Sequence, residues 1–227
     1  MTLREALMAS HAQAERVRAP DFPQAELEIL QQFQRERLAA TYADLAAQPR
    51  YAAACEFFLD ELYGGRDAQE RDRQVEGALP IMEKTLPGRM QEALADAFRL
   101  QALSLSGDIA LAEGMVEGQL KALTPRVYAL LYPRVSRQAR EEQIKLIYRL
   151  AMELDRVVHL PLVLGLIVAM RGPARAAGFD ALQQFLERGL RAFRSMQGAE
   201  SFASTIRDRE LRIMERLYAS DPDPFRV

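Results

Sequence analysis

Two histidines, His11 and His159, are the side chains in this 227-residue chain best suited to ligate a metal ion or carry a proton. Each has an acid four residues away: Glu15 follows His11, and Asp155 precedes His159. Residues four apart share one face of a helix, so either pair has the spacing to bind a metal or to orient an imidazole. Glu56 and Asp60 share a face in the same way. These residues outline a small-ligand or metal-binding bundle of the oxidase type, in which His11, Glu56 and His159 converge, with Glu15 and Asp155 as further ligands. The inventory argues against it. Helical di-iron sites take Glu-x-x-His motifs and paired carboxylates from facing helices; this chain has no Glu-x-x-His and only two histidines. The commoner outcome for a histidine beside an apolar stripe is a buried, hydrogen-bonded ring. Asp96 and Asp108 sit in the long fifth helix, but they lie about 18 Å apart along its axis. They cannot act together at one centre, as a glycosidase pair must, and structural pairing with Arg99, Arg149 or Arg156 is the expectation.

Other catalytic signatures are missing. There is no Gly-x-Gly-x-x-Gly, no phosphate-binding loop, no Gly-x-Ser-x-Gly elbow and no His-Glu-x-x-His. The one cysteine, Cys55, sits in an Ala- and Phe-rich helical run, where a buried, inert thiol is expected; a disulfide within the chain is excluded. Thirty basic residues balance 32 acidic ones, giving a net charge of -2. That excludes a basic coat for nucleic acid, whose binding draws on clustered positive charge. Nearly all the basic residues are arginine, the lysines being Lys84, Lys121 and Lys145. Arginine suits bidentate carboxylate or phosphate recognition, although a GC-rich coding sequence produces the same bias.

The elements that must position these residues are helical nearly throughout. Leu3, Leu7, His11, Ala14 and Val17 form one stripe, ending before Pro20 and Pro23. A second helix is expected through Leu27, Leu30, Phe33, Leu38, Tyr42 and Leu45 to Pro49, and a third from Tyr51 to Leu62 with Gly64-Gly65 as its cap. Pro80 should kink or restart a helix. Leu86-Pro87 should open a long central helix carrying Met90, Phe98, Ile109 and Val116. Gly114-x-x-x-Gly118 on it predicts a close helix crossing. Thr124-Pro125 and Ser136 mark further starts. The apolar run from Val157 to Met170 has 14 residues, too short to span a bilayer, and predicts a buried core helix kinked at Pro161. Gly172-Pro173 predicts a break, and Phe179–Met196 with Phe202–Tyr218 predicts a helical hairpin split at Gly198.

The run Phe57-Phe58-Leu59-Asp60-Glu61-Leu62-Tyr63 resembles the FFLEELY-motif proteins, an uncharacterised family of proteobacterial helical proteins, with Asp60 in place of the first Glu. The resemblance implies an all-helical fold and a cytoplasmic location, and no reaction. Helical spacing puts Phe58, Leu59 and Leu62 on the inner side of this helix and Phe57 and Glu61 on its flank.

The sequence therefore predicts an all-α, single-domain bundle of about eight or nine helices, several long and Pro-kinked, over residues 1–219, with an irregular tail at 220–227. The expected function is that of a non-enzymatic cytoplasmic protein, without a cofactor, acting on a protein partner or by self-association as a homodimer. No nucleic acid and no membrane is expected as partner.

Overall fold

The computed structural model describes residues 1–63, 74–75, 77–80, 83–84, 88–161 and 163–226, with the side chains of 61–63 left out. The fold is all-helical: among the described residues there is no strand. Among the described residues there are eleven α-helices and one 3-10 turn, more than the eight or nine expected, because several expected helices divide.

The first helix, α1 (Leu3–Arg18), starts on a capping box: the Thr2 hydroxyl accepts the Glu5 N–H at 3.2 Å, and the Glu5 carboxylate accepts the Thr2 N–H at 2.8 Å. The next helix divides at Tyr42 into α2 (Gln24–Thr41) and α3 (Ala43–Ala46). Arg209 donates to the Thr41 carbonyl at 2.8 Å, and the Tyr42 hydroxyl donates to Glu210 at 2.7 Å, so tertiary partners hold the chain at this break. Pro49 opens α4 (Pro49–Tyr63), where a first-turn proline loses nothing. The Gly64-Gly65 cap and the Leu86-Pro87 start lie outside the described residues; Pro80 itself is helical.

The long helix α5 (Gly88–Glu117) runs against α1 over much of its length and also touches α2. Thr124 caps α6 (Pro125–Leu131), its hydroxyl accepting the Val127 N–H at 3.2 Å, and a 3-10 turn at Tyr132–Arg134 absorbs Pro133. Ser136 caps α7 (Arg137–Val158) through the Ala139 N–H at 3.2 Å. This helix does not continue to a kink at Pro161. It stops at Val158, whose carbonyl accepts from Arg194 at 2.9 Å. A separate short helix, α8 (Val163–Ala169), follows. Gly172 and Pro173 make no break; they lie in the first turn of α9 (Arg171–Ala176), where the absent proline N–H has no carbonyl to miss. The last helices are α10 (Asp180–Ser195) and α11 (Glu200–Tyr218). They do not pair as a hairpin: each lies instead along α7. Gly198, at φ +118°, reverses the chain between them in a conformation that suits glycine.

Three apolar clusters hold the helices. One gathers α2, α5, α6 and α11 around Leu30, Leu111, Met115, Tyr128 and Met214, and Phe225 of the tail packs against it. A second joins α4, α7, α10 and α11 around Ala54, Val158, Phe193 and Phe202. The third, with Leu3, Leu7, Leu79 and Phe98, seats α1 on the first half of α5. The segment after Tyr218 is docked by Phe225 and by the Arg216–Asp221 ion pair at 3.0 Å.

Candidate functional site

The residues singled out for metal chemistry do not come together. Among the described residues no three His, Cys, Asp or Glu are placed to hold a metal ion. His159 caps α7 with its ring half-exposed, and its Nδ1 lies 2.6 Å from the Asp155 carbonyl. The Asp155 carboxylate accepts the Ala199 N–H at 3.0 Å and so ties the end of α7 to the start of α11. Glu15 is exposed and pairs with Arg18 at 2.7 Å, while His11 is half-buried on the same helix. Glu56 is exposed on α4, and Asp60 lies 3.6 Å from Arg35. Asp96 pairs with Arg149 at 2.8 Å, one of the structural ion pairs expected for it. Cys55 is buried, and desolvation, followed by the charge of Asp44, pushes its thiol above the ordinary range. A thiol held neutral is a poor nucleophile.

Asp108 apart, sequence reasoning missed the polar residues that do gather inside. Arg140 of α7 is 7% exposed, with its guanidinium 4.7 Å from the Tyr132 ring centroid. It donates to Gln143 at 3.1 Å; Gln143 donates to Ser104 at 2.8 Å, and Ser104 donates to the Leu100 carbonyl at 2.9 Å. The guanidinium lies against Gly107, where a Cβ would be in ordinary van der Waals contact, 3.4 Å from an Arg140 terminal nitrogen. On the next turn of α5, Asp108 accepts from Gln34 at 2.9 Å. Burial raises its pKa to about 6, against the opposing pull of the Gln34 hydrogen bond and of Arg140. Beside them Arg37 pairs with Glu210 at 2.6 Å. Tyr128 and Tyr132 close the group, and burial holds both phenols well above their usual range. The Ser104 hydroxyl faces amide and carbonyl partners and no base, so the cluster lacks an activated nucleophile. Its hydrogen bonds fix which helices meet, while the Arg140 Nε and Nη2 are buried without a hydrogen-bond partner among the described residues.

The outer surface offers a different arrangement. Residues 160–170 carry no charge, and the sequence predicts this stretch as buried core. Only its inner side is: Val163, Leu164 and Ile167 pack on the second cluster. On the other side Leu160 is 51% exposed, Leu166 62%, Val168 38% and Met170 43%, and no residue of α8 is fully buried. Pro161 and Gly165 are the signals in the sequence that this run is not one long core helix. The Gln183 side chain donates to the Ile167 carbonyl and fastens α8 to α10.

Met170 leads directly into an open groove of about 390 Å³ between α9 and α10, bordered by Arg171, Arg175, Arg188 and Arg191 with Asp180 and Glu187. Glu187 is 8% exposed and receives Arg171 at 2.7 Å, with a second parallel bond, and Arg191 at 2.6 Å. The Arg171 hydrogen bond, more than its charge or that of Arg191, holds the Glu187 carboxyl below its usual range.

Compared with protein families, residues 13–224 match the model of a domain of unknown function, DUF8198. The chain belongs to this family. No curated protein and no solved structure matches it. The DUF8198 match takes in both the interior polar network and the α8–α10 surface, and it assigns no reaction to either.

Proposed function

We propose that this DUF8198 protein is a non-catalytic helical module that works in the cytoplasm by binding another polypeptide, and that α8 is its docking face. The observation that carries the reading is the uncharged stretch 160–170, with Leu160, Leu166, Val168 and Met170 turned to solvent. Scattered apolar residues need no explanation on a protein surface, but a contiguous exposed group bordered by charge marks an interaction site. The interior supports the same reading, because Ser104, Asp108 and Glu210 are engaged with Gln143, Gln34 and Arg37. A single buried thiol suits a reducing compartment. Among the described residues no helix is long and apolar enough to cross a membrane.

The test is a photo-crosslinking amino acid placed at Leu166 in cells, with Leu130, also exposed but on α6, as the control position. The expected result is a discrete adduct from position 166 and none from position 130. No adduct at 166, or the same adducts from both positions, removes the docking face.

A further inference from the structure

We propose that the groove between α9 and α10 selects an acidic segment: the polypeptide that covers α8 places carboxylates among Arg171, Arg175 and Arg191 while its apolar side chains lie on Leu166 and Met170. This rests on the docking role given to α8. Even without Arg188, three arginines (Arg171, Arg175 and Arg191) border the groove against Asp180 and Glu187, so the concavity carries an excess of positive charge beside an apolar ridge. Glu187 contributes more than neutralisation. It binds Arg171 in a two-pronged pair and draws Arg191 to the same carboxylate, which fixes two guanidinium groups before any ligand arrives. Guanidinium held in place loses less side-chain entropy on binding, and its planar fork matches a carboxylate. Arg175 is exposed on α9 and has no ion-pair partner among the described residues, so its charge is available to an incoming acid.

The other occupants fit less well. A second copy docked with its two-fold axis through the groove would set this arginine rim against itself, and like charges facing across an interface disfavour it. An anionic bilayer presents a flat surface, whereas these arginines border a concave groove, and a molecule of net charge -2 has no overall attraction to it.

The experiment uses the full chain and two synthetic helical peptides with leucine at i, i+3, i+4 and i+7, one flanked by glutamates and the other by lysines at the same positions. Binding is followed by fluorescence anisotropy, with circular dichroism to show that every variant keeps its helix content. The glutamate peptide is expected to bind about tenfold or more tighter than the lysine peptide, a preference that added salt reduces. Arg175→Glu should weaken the glutamate peptide about tenfold, and Leu166→Ser with Met170→Ser should weaken both peptides. Equal binding of the two peptides, or indifference to Arg175→Glu, overturns the acidic selectivity; if the serine variants still weaken binding, the docking face itself survives. Indifference to both sets of variants overturns both. Two further results overturn the acidic partner: sedimentation of the protein with phosphatidylglycerol vesicles without peptide binding, and a doubling of mass in light scattering that Leu166→Ser abolishes.

Discussion

The ring of Phe57 lies directly over Gly189, so that a Cβ on residue 189 would sit 2.8 Å from the ring's Cζ. Helical spacing puts Phe57 on the flank of α4, yet it is a core residue, 5.6 Å from Phe185 between ring centroids and 5.8 Å from Phe58. The glycine is what lets α4 and α10 approach. Phe58 then reaches the second cluster, where it meets Phe193 and Phe202 at 5.7 and 6.1 Å.

Gly189→Ala should therefore destabilise the protein although alanine is the better helix former. Propensity alone favours alanine by about 1 kcal/mol, but overpacking against a ring held on three sides costs about 1–3 kcal/mol. The expected net result is a lower denaturation midpoint in urea. Combining it with Phe57→Leu should recover part of the loss, and a midpoint equal to or above the wild type would show that the helices separate freely.

Asp108 gives the protein a pH dependence of unusual sign. Its pKa is raised from the ordinary 3.8 to about 6 by burial, so the folded state binds a proton more readily than the unfolded chain does. Its contribution to stability is thus greatest below pH 4, declines as pH rises towards 6, and is flat above. The full decline is on the order of 3 kcal/mol. Asp108→Asn keeps an oxygen for Gln34 to donate to and removes the ionisation. The stability of the variant relative to wild type should rise between pH 4 and pH 7, followed by urea denaturation across that range. A difference that does not change with pH would mean that water or Arg140 neutralises the carboxylate in the fold.

Glu210 holds two partners at once, Arg37 at 2.6 Å and the Tyr42 hydroxyl at 2.7 Å, across the break between α2 and α3. Glu210→Ala leaves a largely buried guanidinium without this carboxylate and should cost on the order of 3 kcal/mol. Glu210→Gln retains an acceptor for one partner and should cost less. The order of the two thermal midpoints, alanine below glutamine, is the measurement.

How far these relationships are legible in the sequence depends on whether a neighbour along the chain or one across the fold decides them. Thr124-Pro125 and Ser136 announce helix starts because a cap is satisfied within three residues. The all-helical class follows from periodicity in the same local way. The break at Tyr42 needs Arg209 and Glu210, more than 160 positions away, so the apolar spacing of α2 and α3 reads as one helix. Gly114 predicts a helix crossing from its spacing to Gly118, yet its space is taken by the Arg134 side chain, whose Nε would lie 2.4 Å from an added Cβ. The run 157–170 reads as core because hydropathy cannot tell a buried apolar face from one left open. His159 and Asp155 show the converse: spacing puts them on one face, and the partner across the fold, the Ala199 N–H on the Asp155 carboxylate, is not legible in it.

That last bond leads to a prediction that separates capping from ligation. Asp155 Oδ1 accepts the Ala199 N–H at 3.0 Å and lies 3.7 Å from His159 Nδ1, so one carboxylate serves the start of α11 and faces a half-exposed imidazole. Asp155→Ala removes the acceptor from that N–H and should cost about 1 kcal/mol, as loss of a capping side chain does. Asp155→Asn keeps an oxygen acceptor and should cost clearly less. His159→Ala, which leaves the bond to Ala199 in place, should cost little. If Asp155 worked instead as a partner to His159 in binding zinc, the histidine variant would lose as much as the alanine variant whenever zinc was present, and a chelator would erase the difference. The expected outcome is four thermal midpoints in the order wild type close to His159→Ala, then Asp155→Asn, then Asp155→Ala, unchanged by added zinc or by chelator.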